Sequence, residues 1–412
     1  MRYRVTSLAL AAAFLAAVSA HAADKGVELR PEVGKPLQAA RDLIAQQKFA
    51  DALAQIRKAE AVPRLNAEET GLLEELRGIA AQGSGDTATA AHSFETAISA
   101  GKLTSADRLR LTESLASLYY QIKDYPKAIV WAQRYRDGGG KDEAIRTLLA
   151  QSFYLNGDWA GASQILTEQV AAAEKTGRKP AEAQLQLLAD SRLKQNDTAG
   201  YLETLEKLVA GYPKPEYWAA VIQRVQTQPG FPRRLALDVS RLSLAVGTLS
   251  SAPQYTQTAE LALEAGLPGE AKALLDRGFA VHALGEGPEA ARQQRLRALA
   301  AQQAAADLDA LDQRAQAAAA APDGSALVST GIDYLGYGQA DKAARLIEEG
   351  LAKGVTKHPD DAKLHLGVAY LAAGQKDKSQ QAFRSIQDVE TAELARLWSI
   401  YGNRPSSLQA AL

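Results

Sequence analysis

The chain has 412 residues, with 47 Lys and Arg against 48 Asp and Glu, 46% apolar residues, only 6% aromatic ones and no cysteine. The missing cysteine excludes disulfides, thiolate-held metal centres and a thiol nucleophile. The balanced charge gives no electrostatic basis for binding nucleic acid, and an apolar share carried by Ala and Leu predicts helices packed through small side chains.

Arg2 and Arg4 precede an uncharged run from Val5 to Ala20, and Ala20-His21-Ala22 follows as an A-x-A cleavage pattern. The run is shorter than the roughly 20 residues a permanent span needs. No cysteine follows it, so a lipid anchor is excluded. Residues 1–22 therefore read as a cleavable export signal, with Ala23 as the new N-terminus and 23–35 as a lead-in. No later stretch is long and apolar enough to span a membrane. The exported chain is expected to be soluble, touching membranes only through partners.

From residue 36 to 389 one pattern recurs. A small residue is followed three later by a large one, then four later by a turn residue. A small residue comes five further on, and a large apolar one four after that. Gly331, Tyr334, Gly338, Ala343 and Ile347 form one copy; Gly367, Tyr370, Gly374, Ser379 and Phe383 form another. Earlier copies run through Ala40 to Ile56, Gly78 to Phe94, Ala116 to Ala132, Ala150 to Leu166, Ala189 to Leu205, and Ala259 to Leu275. Residues i and i+3 share a helix face, so each copy predicts a helix hairpin whose small positions allow close approach. One hairpin buries only part of its apolar stripe, and neighbours must stack to complete the core. Gaps of about two periods place degenerate hairpins near 216–250 and 287–321, for about ten units.

Gly138-Gly139-Gly140, Pro229-Gly230-Phe231-Pro232 and Gly285-Glu286-Gly287-Pro288 read as bends in a continuous array. Residues 298–321 hold 13 Ala in 24, with Leu299, Leu308 and Leu311 as sparse anchors. Residues 390–412 supply a capping helix and tail, with Leu394, Leu397, Trp398 and Tyr401 on one stripe.

Candidate chemistry is thin. His358, Asp361 and His365 are a weak metal set, and the favoured reading makes Asp360 or Asp361 a helix cap after Pro359. The triple glycine lacks the Lys-Ser/Thr of a phosphate loop. Arg292, Arg295 and Arg297 suit a solvated helix face. No nucleophile–base pair appears. No residue is put forward as catalytic, cofactor-binding or metal-ligating, and no enzyme is expected.

The spacing, the small–aromatic pairing and the Tyr212-Pro213 ending of the fifth unit resemble the tetratricopeptide repeat, although the family's opening Trp is absent. The resemblance implies an all-α, right-handed superhelical solenoid of about ten hairpins with a C-terminal capping helix, working by protein–protein interaction. Export signal plus degenerate repeats is similar to envelope tetratricopeptide proteins of Gram-negative bacteria. That implies a periplasmic scaffold whose partners are other envelope proteins or peptides. The run Leu208–Trp218 resembles repeat proteins that accompany TonB energy-transduction systems, and an accessory role there is one alternative. Another is a glycan- or polymer-binding subunit of a secretion or wall-remodelling machine.

Of 25 aromatic residues, 13 lie between Tyr119 and Phe231. Tyr120 and Tyr154 each follow a core aromatic by one residue, which turns them about 100° from the core. In the family this offset faces the concave groove, and matching offsets add Glu113, Thr147, Gln151, Gln186 and Asp190. The family's carboxylate clamp is absent, because Glu113, Ser117, Thr147 and Gln151 stand where it needs Lys and Asn. For Tyr120 and Tyr154 two readings stand open: anchors for a partner, or contact with the next hairpin.

Overall fold

A computed structural model describes residues 29–404 except residue 356. The expected export signal and cleavage site, and residues 405–412, lie outside the described residues. The described residues form twenty α-helices and a 3-10 turn at Arg233–Leu235, with no strand among them. The chain divides into two compact units, Met1–Tyr201 and Leu202–Leu412.

The first unit holds four hairpins and the first helix of a fifth, whose second helix crosses the boundary; α1 (Pro31–Ala45) pairs with α2 (Phe49–Glu60) and α3 (Ala67–Gly83) with α4 (Thr87–Ser99). Then α5 (Ser105–Gln121) pairs with α6 (Tyr125–Asp137), α7 (Glu143–Leu155) with α8 (Trp159–Lys175), and α9 (Glu182–Lys194) leads into α10 (Thr198–Gly211). First helices pack on first helices, α1 on α3 and α5 on α7. The array begins at Pro31, five residues before the expected start, since Pro suits the first helical turn.

Two spacings explain the hairpins. The small residue of the first helix meets the large residue 16 later. A Cβ added at Gly78 would lie 2.3 Å from the Phe94 ring, one at Gly367 would lie 2.2 Å from Phe383, and one at Gly331 would lie 2.6 Å from Ile347. Seven residues after the small one the backbone turns left-handed. Glycine does this at Gly85, Gly157, Gly266, Gly338 and Gly374, but Gln47, Lys123 and Asn196 do it in three hairpins. In the first unit an aspartate follows that turn and caps the return helix in each hairpin after the first, where Lys48 stands instead. Asp86, Asp124 and Asp158 accept from the backbone N–H of Thr89, Lys127 and Gly161.

In the second unit come α11 (Pro215–Gln226), α12 (Ala236–Ala245), α13 (Ala252–Glu264) and α14 (Pro268–Ala280), then α15 (Ala290–Ala320). The hairpin expected at 287–321 is instead this single helix of 31 residues. The reason is local: no glycine or proline interrupts 290–321, and an alanine-rich run has nothing to break it. Its anchors also differ from expectation. Leu311 is buried, but Leu299 and Leu308 are 45% and 48% exposed, and Ala300, Ala304 and Ala318 face the core instead. After it come α16 (Ser325–Gly336), α17 (Ala340–Lys353), α18 (Pro359–Ala372), α19 (Lys376–Arg384) and the cap α20 (Val389–Gly402).

One helix in place of two changes the row. α14, a return helix by sequence, packs on α16, which packs on α18, which packs on α20. The row of neighbouring helices is odd-numbered in the first unit and even-numbered here.

The cap expected from Asp360 or Asp361 does not form. His358 takes the cap position with φ 46° and makes no side-chain cap bond. Asp360 accepts from the backbone N–H of Gln387 and Asp388, and Asp361 accepts from Arg234 and from the Thr391 hydroxyl. Both carboxylates are spent on tying α18 to other segments of the unit.

Candidate binding surfaces

The seven residues singled out in the first unit lie on its successive first helices α5, α7 and α9, all half-buried. Tyr119, one residue before Tyr120, is buried under Lys127, whose Nζ donates to its Oη at 3.0 Å. The 100° step turns Tyr120 away from that core toward α7, where its Oη donates to Gln151 Oε1 at 3.0 Å. Its ring also meets Tyr125 edge-on, with centroids 5.9 Å apart. One hairpin on, Tyr154 repeats the move and donates to Asp190 Oδ2 on α9. Lys194 Nζ stands over the rings of Tyr154 and Trp159, 5.6 Å and 5.3 Å from their centroids.

The structure thus joins Tyr120 with Gln151 and Tyr154 with Asp190 in a ladder running from hairpin to hairpin. Contact with the next hairpin is observed for both tyrosines. Glu113 and Thr147 face their own return helices instead. Burial pushes the Glu113 carboxyl above the ordinary range, Asp142 adds to this, and a hydrogen bond with Tyr135 opposes it. Thr147 Oγ1 donates to the Glu143 carbonyl at 2.9 Å and accepts from Gln169 Nε2 at 3.4 Å. Gln186 sits one turn before Asp190 on α9.

A second feature has no local sequence signature. In the second unit, α12 reaches two helices far apart in sequence. Arg241 clasps Glu270 on α14 at 2.6 and 2.8 Å and Asp238 at 2.7 Å, while Asp238 meets His365 Nε2 of α18 at 2.9 Å. Arg234 meets Asp361 Oδ2 at 2.8 Å and Asp388 Oδ2 at 3.1 Å. Gln228 donates to Glu393 on α20 at 2.8 Å. Burial pushes Asp238 up, but His365 and Arg241 outweigh it and hold the carboxyl well below the usual range. The unit closes on itself around a cavity of about 570 Å³, lined from α12, α14, α16, α18 and α20 by residues including Arg241, Glu270, Tyr337 and Trp398. Among the described residues, no group of three His, Asp or Glu side chains is placed to hold a metal ion.

Two segments, residues 76–143 and 329–392, match the tetratricopeptide repeat family model, and these segments carry that repeat. The first takes in Glu113 and Tyr120; the second takes in α17, α18 and α19. No curated protein matches the chain. Among solved structures it is similar to a tetratricopeptide repeat protein from Parabacteroides merdae, at 13% identity and TM-score 0.33, over 82% of this chain and 98% of that one. It is also similar to the complex of Naa15/Naa10 bound to HypK-THB, at 15% identity and TM-score 0.30, over 85% of this chain and 58% of that one. Yeast Tom70 matches at 10% identity and TM-score 0.25, over 89% of this chain and 94% of that one. Scores this low leave the arrangement of the hairpins to the chain's own contacts.

Proposed function

We propose that the chain is a non-catalytic scaffold of the periplasm, holding envelope proteins or peptides against its helix hairpins. The observation that carries the binding role is the ladder of α5, α7 and α9, where half-buried aromatic rings alternate with amide and carboxylate groups. Aromatic rings with a polar tip are enriched at protein interfaces, where they bring large contact area at low entropic cost. The export reading rests on Arg2, Arg4, the uncharged run and Ala20-His21-Ala22. N-terminal sequencing of periplasmic protein should find Ala23; a chain still starting at Met1 would overturn it.

Because the ladder also joins hairpins, its two roles need separating. Replacing Tyr120 and Tyr154 together by Phe keeps both rings and removes both hydroxyl bonds. Stability should fall by about 1 kcal/mol per bond, while in-cell crosslinking should capture the same partners. Replacing both by Ala removes the rings too, and each truncation should weaken capture roughly thirtyfold, about 2 kcal/mol. If the Ala variant captures its partners as wild type does, the surface is not the binding site. Retention on peptidoglycan in place of protein would favour the glycan-binding alternative instead.

A further inference from the structure

The two sides of α12 face different surroundings. Arg241, Leu244 and Ala245 line the 570 Å³ cavity, whereas Ala236, Ser240 and Ser243 line a separate cleft of about 450 Å³ between α11, α12 and α13. None of the 13 residues lining this cleft is charged. With 23% of the chain charged, about three would be expected, so the neutrality is a property of the site. Gln223 and Gln226 stand one turn apart on α11, and Gln254 and Gln257 stand one turn apart on α13. Gln254 Oε1 accepts from the backbone N–H of Ser250 and Ser251 at 3.0 Å. Among the described residues, the amides of Gln223, Gln226 and Gln257 take no hydrogen-bond partner. The Thr258 hydroxyl takes none either, although Thr258 lines the cleft and is only 3% exposed. Ile222, Leu249 and Leu261 supply apolar surface beside them.

The amides of Gln223, Gln226 and Gln257 each offer donors and an acceptor together, the same pairing that every peptide unit presents, while Gln254, its oxygen taken by Ser250 and Ser251, offers donors alone. These groups on the two sides of a cleft with apolar patches match the alternating main chain and side chains of an extended peptide. A charged side chain brought into the cleft would find no counter-ion on the lining to offset the water it gives up. A saccharide fits less well, because the lining holds no aromatic ring on which a sugar could stack.

We propose that this cleft binds an extended, uncharged polypeptide segment through its main-chain amides. The proposal rests on the reading of the chain as a binder of polypeptides, but on residues remote in sequence from the tyrosine ladder.

The test uses the full exported chain and synthetic peptides of roughly eight residues, about 26 Å when extended, composed of Ala, Ser, Thr, Gln and Leu. Matched sets carry a central Lys, a central Asp or N-methylated main-chain amides, and affinity is read by isothermal titration. Uncharged peptides should bind, while charged and N-methylated sets should bind at least about tenfold more weakly. The double variant Gln223→Leu/Gln257→Leu alters exposed positions, so its melting temperature should hold. Its affinity should fall about tenfold, two hydrogen bonds at about threefold each. Thr258→Val should weaken binding by a smaller factor. The Tyr120→Ala/Tyr154→Ala variant should bind these peptides as wild type does, which keeps failure here distinct from failure of the ladder. No binding by uncharged peptides, or affinity that survives Gln223→Leu/Gln257→Leu, would overturn the proposal. So would neutral glucose oligosaccharides that bind and are lost in that variant, by moving the site to carbohydrate.

Discussion

Asp333 holds its proton over a pH range in which an exposed aspartate has lost it. Burial pushes its carboxyl up to about 6, with Arg314 opposing and Asp307 adding to the rise. Arg314 Nη2 reaches Asp333 Oδ2 at 3.0 Å and Asp307 Oδ1 at 2.6 Å, so one cation serves two carboxylates. Asp333 Oδ1 is buried without a partner. The folded chain therefore binds this proton more tightly than the unfolded chain, whose aspartate titrates near 4. The site costs nothing below about pH 4, and its full penalty is present above about pH 6. Across that window stability should fall by on the order of 2 kcal/mol from this residue. Asp333→Asn should raise the melting temperature at pH 7.5 and leave it nearly unchanged at pH 4. An equal effect at both values would show that burial is not what shifts the group.

At the scale of one hairpin, the left-handed turn residue decides how cheaply the chain reverses. Lys123 holds φ 65° and Gln47 holds φ 59°, where a Cβ crowds the backbone. The cost is about 1 kcal/mol each, which glycine avoids. Lys123→Gly should therefore raise stability by up to about 1 kcal/mol in chemical denaturation, since the turn gains more than the unfolded chain gains in freedom. The reverse change Gly157→Ala should lower it by a similar amount. A destabilising Lys123→Gly would mean that the Lys123 side chain, not its backbone, matters at the turn. The aspartates after these turns were readable without coordinates, since Gly85-Asp86, Lys123-Asp124, Gly157-Asp158 and Asn196-Asp197 share one dipeptide logic of turn then cap.

Across the second unit, closure depends on charged side chains. Arg241 side-chain exposure is 13%, and the carboxylates it holds, Asp238 and Glu270, are 6% and 15% exposed. Removing one partner of such a pair costs more than the pair contributes, because the remaining charges stay buried alone. Arg241→Ala should destabilise the unit by about 3–5 kcal/mol. Arg241→Met with Glu270→Met should restore much of that loss. Hydrogen exchange should quicken in α12, α14 and α18 and stay unchanged in α1 to α8. Uniform quickening over both units would show one cooperative core in place of the nearest-neighbour stacking that repeats imply.

The sequence by itself determined what depends on neighbours in the chain. Helix period, the small residue facing a large one 16 later, and the turn residue seven later are all local spacings. Every hairpin that carries them is present, from Ala40–Ile56 to Gly367–Phe383. Where the marks ran out, at 287–321, length alone suggested a hairpin. The chain made one helix there because nothing in it breaks a helix. The surface offset of Tyr120 and Tyr154 was also readable, being a rotation of 100° per residue. Only tertiary structure decided what those tyrosines touch, since Gln151 and Asp190 lie 31 and 36 residues further on. It also decided that Asp361 meets Arg234 instead of capping its own helix, and that Asp238 meets His365 across 127 residues. Such pairs leave no period in the chain. They arise when stacked hairpins bring distant polar groups together at low exposure, where an unpaired charge is too costly to leave.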